Sequence, residues 1–365
     1  DLAAGIIKES LNRAGIDGSH VDQVIMGNVI QTIGDASNPA RTAALKAGLP
    51  VETPAYTLNR LCGSGLQAVN SAYETIVSGA VEVVLAVGLE SMSNAPYLLE
   101  GARWGCRMGD SKLRDGLIAV LTDSNYLVHM GVTAENLAEK YQISREEQDE
   151  FALLSHQRAV AAIESGKFEA QMVPVDVPGR KGETVRFCID EHPRADVSLA
   201  GLAKLKPVFK KDGTVTAGNA SGINDAAAAV VLMTGDRARE FGLEPLAKIK
   251  GYATAGVEPL YMGYGPVPAT NKALERAGLT LQDIDLIELN EAFAAQYLAC
   301  EKALGLDRDK VNVNGGAIAL GHPLGATGVI ILIKLIYEML ERNARYGLAT
   351  ACIGGGQGIA TIIER

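Results

Sequence analysis

The sequence predicts an α/β protein built from two similarly folded halves, with a long polar excursion inserted into the first. Three observations carry that expectation. Blocks of sequence recur at a fixed offset of 263 residues. Short runs of Val, Ile, Leu and Ala alternate with helical segments. Residues 95–223 break the pattern with added charge and turn signals.

The repeat is the strongest of these. Leu11-Asn12-Arg13-Ala14-Gly15 matches Leu274-Glu275-Arg276-Ala277-Gly278, each the end of a helix stopped by glycine. The runs from Val21 to Met26 and from Ile284 to Leu289 follow as short strands. At the same offset Gly65 falls on Gly328, both ahead of apolar helical stretches, and the strand Val81 to Gly88 falls on Ala344 to Ala351. One helix–glycine–strand coincidence is ordinary in any α/β chain; four blocks in one register argue for duplication. The apolar strands predict mostly parallel, buried sheets covered by helices on both faces.

The excursion carries the turn signals Pro178-Gly179-Arg180-Lys181-Gly182, His192-Pro193-Arg194 and Lys210-Lys211-Asp212-Gly213. Ser144 and Glu147 have capping-box spacing ahead of Phe151, Leu153 and Leu154, which predicts a helix. Ala226 to Met233 then returns to the first half. The expected units are 1–94 with 224–245, the excursion 95–223, and 246–365.

With 365 residues, 47% of them hydrophobic, the chain can form one large or two medium cores. A net charge of -9 without a basic tract argues against a nucleic-acid surface, though a local basic patch could hold an anionic cofactor. Cys62, Cys106, Cys188, Cys300 and Cys352 form no C-x-x-C pair, so a reduced, cytoplasmic protein is expected rather than a zinc or dithiol site. No H-x-x-x-H or paired-carboxylate arrangement predicts a metal site. No signal-peptide pattern or long apolar run predicts a membrane span. The opening Asp1-Leu2-Ala3-Ala4-Gly5 reads as a helix entered near its start, so the natural protein is expected to carry residues before it.

Four segments could carry chemistry. Cys62 lies between an extended stretch, Ala55 to Asn59, and a helical run, Leu66 to Ile76, and is followed by Gly63-Ser64-Gly65. Free N–H groups and the helix dipole at such a turn stabilise a thiolate and an oxyanion. A buried packing cysteine is the competing reading. Cys352 follows a second strand and precedes Gly354-Gly355-Gly356, where backbone amides can approach a carbonyl. The run lacks G-x-G-x-x-G spacing and is no dinucleotide fingerprint. His322, in the glycine-dense loop Gly315 to Gly328, reads as a base or donor. Asn290 leaves a strand end, where α/β sheets bind ligands, and reads equally as a helix N-cap. His156 reads as structural, His20 and His192 as solvated loop residues, and His129 as a possible ligand wall.

Together these segments resemble the thiolase family. Leu61-Cys62-Gly63-Ser64-Gly65, Asn290-Glu291-Ala292-Phe293, Gly321-His322-Pro323 and Cys352-Ile353-Gly354-Gly355-Gly356 stand in that family's order, with Gly88 to Ser93 and Ala217 to Gly222 as further matches. The resemblance covers the whole chain and is nearest the acetyl-CoA acetyltransferase subgroup. It implies a thiolase-like duplicated fold in α-β-α-β-α layers, five strands per sheet, and a loop domain that binds coenzyme A and makes oligomer contacts. It implies no tightly bound cofactor, acetyl-CoA, acetoacetyl-CoA and CoA as substrates and products, and a homo-oligomer, a tetramer rather than a dimer.

By the same resemblance Cys62 takes the acyl group, His322 activates it, and Cys352 moves the proton of the second acetyl-CoA. Asn290, through a water, and His322 form one oxyanion hole; the N–H groups of Cys62 and Gly354 form the other. Ser221 contacts the pantetheine arm and Arg194 lies near the adenine or phosphate. Met130, Met262, Phe209, Ala217 and Phe293 line the walls. The family's first strand, with its Ala-Arg-Thr-Pro-like motif, is missing, and Val87 stands where relatives often have glycine. A broad-chain 3-ketoacyl-CoA thiolase is the runner-up. A decarboxylating ketoacyl synthase, which places a second histidine where Asn290 stands, and a non-catalytic α/β scaffold are remote alternatives.

Overall fold

The computed structural model describes residues 1–32, 37–179 and 182–365; Arg180 and Lys181 of the expected turn lie outside them. In the first half β1 (Gln23–Gly27) pairs in parallel with both β2 (Ala55–Leu58) and β3 (Val83–Ser91). The excursion holds two antiparallel hairpins, β4 (Tyr97–Leu99) with β5 (Leu113–Asp115) and β6 (Val175–Pro178) with β7 (Thr184–Phe187). It also holds the helices Met130–Tyr141 and Arg145–Glu164. The second helix starts in a reciprocal capping box between Ser144 and Glu147, so two otherwise unpaired N–H groups are satisfied locally. β8 (Asp225–Met233) then re-enters the first half antiparallel to β3. The sheet order is β2-β1-β3-β8.

The second half contributes β9 (Lys248–Gly256), β10 (Leu286–Leu289), β11 (Tyr346–Ile353) and β12 (Gln357–Glu364), in the order β10-β11-β12-β9. Only β10 and β11 are parallel there. The expectation of mostly parallel strands is thus corrected to mixed sheets. A hairpin joins β11 to β12, and β8 returns beside β3, and both manoeuvres reverse the strand. The expectation of five strands per sheet is corrected as well: each main sheet has four among the described residues. Val311 makes a lone bridge to Ile287 where β2 pairs with β1 in the first sheet, and the place that β9 fills beside β12 holds no strand beside β8 among the described residues.

The duplication is visible in local devices. The helices Leu2–Ala14 and Pro266–Ala277 both end on a left-handed glycine, Gly15 at φ 69° and Gly278 at φ 68°. Asp22 accepts from the N–H groups of Glu82 and Val83; Asp285, at the repeat offset, accepts from those of Arg345 and Tyr346. In each half one carboxylate therefore ties the start of a strand, β1 or β10, to the start of its parallel neighbour, β3 or β11.

Two helices, Ser64–Val77 and Leu324–Arg342, lie between the sheets. Leu66, Val69, Val329 and Leu332 share one core with Ile25 and Val84 of the first sheet and Ala349 and Ile359 of the second. The helices Leu2–Ala14 and Pro39–Lys46 cover the outer face of the first sheet. Pro266–Ala277 and Ala294–Leu304 cover that of the second, completing five layers. Among the described residues no helix is long and apolar enough to cross a membrane.

The central helices meet at two glycines. A Cβ on Gly65 would come within 2.8 Å of the Val329 nitrogen, and one on Gly328 within 2.0 Å of the Leu66 nitrogen. Backbone atoms cannot swing aside as a side-chain tip can, so a substituent at Gly328 must push the helices apart. Gly328→Ala is expected to lower stability by about 3 kcal/mol or more in urea unfolding. A loss below about 0.5 kcal/mol, typical of a neutral surface change, would show that the contact is not close-packed in solution.

Candidate active site

Cys62 sits in the turn between β2 and the helix Ser64–Val77. The residue before it, Leu61, has φ 46°, a left-handed conformation that is costly for a branched side chain. Local hydrogen bonds hold it there. Asn59 Oδ1 accepts the Leu61 N–H at 2.8 Å; Ser64 Oγ accepts the Arg60 N–H at 2.8 Å and donates to the Leu61 carbonyl at 2.7 Å. The turn thereby presents the sulfur at the positive end of a buried helix. Cys62 itself keeps some exposure and packs beside Val29, Ile30, Met92 and Leu324. Burial pushes its thiol up to about 11; the N–H groups of Gly354 and of Cys62 itself oppose the rise by hydrogen bonding to sulfur, and the Glu90 carboxylate adds to it.

Cys352 lies near the end of β11 and is fully buried. Burial drives its thiol well above the ordinary range, and the neighbouring Cys62 and Cys300 sulfurs add to the rise. Both thiols are therefore protonated at rest near neutral pH.

His322 occupies the loop between the helices Ala317–Leu320 and Leu324–Arg342. Its N–H donates to Asn224 Oδ1 at 3.2 Å, Nδ1 lies 2.7 Å from Thr327 Oγ1, and Nε2 lies 3.4 Å from Asn290 Nδ2. Burial holds the imidazole down to about 4, so it is neutral at pH 7 and able to accept a proton. Asn290 leaves β10 with its N–H on the Thr350 carbonyl, and its buried Oδ1 has no protein partner. The N-cap reading of Asn290 is corrected: the following helix begins at Ala294 with Phe293 as its N-cap.

The wall residues divide. Met130 packs over the glycine turn; a Cβ on Gly354 would lie 3.3 Å from its sulfur and 3.0 Å from Leu61 Cδ1. Phe209 stacks on His129 at 4.7 Å and meets the Phe293 ring edge-on at 6.1 Å. Ser221 is tied beside Phe293, its N–H on the Ala292 carbonyl at 3.0 Å. Met262 is buried in the core that also holds Met130, Phe293 and Cys352. Arg194 and Ala217, by contrast, lie on the surface of the excursion, Arg194 held by its N–H on His156 Nδ1. His192 is not the solvated residue its sequence context suggested. Its Nδ1 lies 2.8 Å from the Ala319 carbonyl, which fastens the excursion to the loop of His322.

Sequence reasoning missed Glu90 as a site residue. It is fully buried and accepts from Asn28 Nδ2, the N–H groups of Val29 and Ile30, and that of Gly325. Burial pushes this carboxyl up to about 7 against those N–H groups. One side chain thus ties the Cys62 half to the first turn of the helix after His322. Glu291 does similar work, accepting from Ser155 Oγ, Asn312 Nδ2 and the Ile318 N–H. The sequence signal was an acid at the end of a buried strand, Glu90 in the last two residues of β3 and Glu291 just past β10.

Comparisons with known proteins agree along the whole chain. Residues 1–236 match the family description "Thiolase, N-terminal domain" and residues 243–365 match "Thiolase, C-terminal domain". The chain is 56% identical to an acetyl-CoA acetyltransferase of Pseudomonas aeruginosa, over 100% of this chain and 93% of that protein. It is similar to the crystal structure of the Bacillus anthracis acetyl-CoA acetyltransferase, with a TM-score of 0.97 at 52% identity, covering 100% of this chain and 92% of that one. It is equally similar to the crystal structure of human mitochondrial 3-ketoacyl-CoA thiolase, with a TM-score of 0.97 at 51% identity and the same coverage of 100% and 92%.

A Cys62 that rests as a neutral thiol has a kinetic signature. Alkylation of Cys62 by iodoacetamide is expected to rise about tenfold per pH unit from pH 6 to 9, following the thiolate fraction. A rate already on a plateau at pH 6 would show a thiolate–imidazolium pair instead.

Proposed function

The chain belongs to the thiolase family, and we propose on that footing how its residues carry out the family's chemistry. The protein is an acyltransferase of the acetyl-CoA C-acetyltransferase type, catalysing the reversible Claisen condensation of two acetyl-CoA units to acetoacetyl-CoA and CoA. The observation that carries the residue assignment is the convergence of the Gly354 N–H, the Cys62 N–H and the Cys352 sulfur on the Cys62 thiol.

Cys62 attacks the thioester carbonyl while His322 Nε2 takes its proton. The N–H groups of Cys62 and Gly354 stabilise the tetrahedral oxyanion. CoA leaves with the proton of the Cys352 thiol, so acetyl-Cys62, a Cys352 thiolate and a protonated His322 remain. For condensation, Cys352 in its thiolate form removes a methyl proton from the second acetyl-CoA. His322, still protonated and donating from Nε2–H, and Asn290, whose partnerless Oδ1 suits an ordered water, steady the enolate oxygen. The carbanion attacks acetyl-Cys62, and as the carbon–carbon bond closes Cys62 leaves and takes back the proton held on His322 Nε2. A buried Cys352 held as a thiol suits the reverse direction equally, since thiolysis needs an acid to protonate the departing enolate.

The coenzyme A arm is assigned to the excursion, with Ser221 and Phe209 toward the thioester and surface-exposed Arg194 and Ala217 toward the nucleotide end. Met130 and Leu61 crowd the space over Gly354, which supports a small acyl group. A tetrameric homo-oligomer is proposed over a dimer. Its support is the hairpin of β4 and β5, which exposes Tyr97, Leu98, Leu99 and Leu113, with Trp104 88% exposed between the strands. Five cysteines without a disulfide partner support a cytoplasmic setting.

Brief exposure to acetyl-CoA followed by mass spectrometry is expected to find an acetyl group on Cys62, absent in Cys62→Ala. Cys352→Ser is expected to retain that adduct while condensation falls by about 100-fold or more; acetylation on Cys352 would reverse the two roles. The near-equal likeness to a 3-ketoacyl-CoA thiolase favours a second reading with longer chains. Acetoacetyl-CoA is expected to give the higher kcat/KM than a ten-carbon 3-ketoacyl-CoA, and equal or better use of the longer substrate would establish the second reading.

A further inference from the structure

A neutral imidazole has one proton and two nitrogens, and only the nitrogen without the proton can act as a base. Thr327 bears on which nitrogen that is in His322. Its Oγ1 lies 2.9 Å from the Pro323 carbonyl oxygen and 2.7 Å from His322 Nδ1. A carbonyl can only accept, and a hydroxyl has one proton to give. With that proton committed to Pro323, the Thr327 oxygen is left to accept from Nδ1–H, which puts the ring's lone pair on Nε2.

The other face of the ring agrees. Asn290 turns Nδ2, a donor, toward Nε2 at 3.4 Å, while its Oδ1 has no partner. A donor facing Nε2 is compatible with a lone pair there and not with a second N–H. Thr327 stands in the first turn of the helix Leu324–Arg342, four residues after the carbonyl it bonds, so the helix geometry fixes its hydroxyl. His322 and Thr327 are both buried, at 4% and 2% exposure, so bulk water cannot take over the hydroxyl's part.

We propose that Thr327 is a positioning residue that holds His322 in the Nδ1–H form and thereby aims the basic Nε2 at the reacting atoms. The proposal rests on His322 being the base.

The test compares Thr327→Val, which keeps the branched shape without the hydroxyl, with Thr327→Ser, which keeps the hydroxyl. T327V is expected to lose about 10- to 100-fold in kcat, part of the usual worth of a general base, with KM for acetoacetyl-CoA within about twofold of wild type. T327S is expected to recover most of the loss. A wild-type kcat in T327V, or a T327S as poor as T327V, would overturn the proposal. His322→Asn, assayed alongside, tests the underlying reading separately: if it retains activity, the base assignment fails whatever Thr327 does. Should T327V fail to fold, long-range proton–nitrogen spectra of the 15N-histidine-labelled wild-type enzyme decide directly. They are expected to show Nδ1 protonated and Nε2 bare, and the opposite tautomer would overturn the proposal.

Discussion

The site depends on two helices being allowed to touch. Gly65 and Gly328 bring the backbones of Ser64–Val77 and Leu324–Arg342 into contact near their first turns. Each helix is entered through a loop that carries a reactive group, Cys62 for one and His322 for the other. Helices separated by side chains at an ordinary spacing of about 8–10 Å would hold those loops farther apart. The packing of the core and the reach of the chemistry are therefore set by the same missing methyl groups.

Around that contact, buried polar groups replace water as the organising medium. Glu90 collects donors from both halves, and Glu291 collects them from the excursion and the loop ahead of His322. Glu288 and Lys334 form a buried pair at 2.9 Å, and Lys334 also donates to the Gly315 carbonyl. Burial of such groups is costly unless every lone pair and proton is used. Here they are used on backbone groups of the loops, so the expense of desolvation is converted into fixed loop geometry.

Much of this was legible in the sequence because it is local. A glycine stops a helix within a turn, a serine and a glutamate cap the next one, and a cysteine ahead of Gly63-Ser64-Gly65 lies at a helix start. The offset repeat was legible because it copies such local signals. Strand direction was not, since an apolar run carries no mark of which way its neighbour runs. Nor was Glu90, whose bond to Gly325 spans 235 residues. His192 read as solvated because nothing near it in sequence announces the Ala319 carbonyl 127 residues away. Thr327 lay inside a quoted glycine-dense run, yet its part follows only from the direction of one hydroxyl proton.

The repeat also fails at informative places. At the offset of 263 residues, Cys62 corresponds to Gly325, His322 to Asn59, Asn290 to Gly27 and Cys352 to Leu89. Two identical subunits meeting on a twofold axis must present the same residue from both sides. Such a pair could set thiol against thiol or imidazole against imidazole, but could not change one side alone. Joining the copies in one chain lifts that restriction, because each can mutate without its twin. Covalent linkage thus frees the two faces of one shared centre to specialise, as the proposed division between an acyl carrier and a proton handler requires.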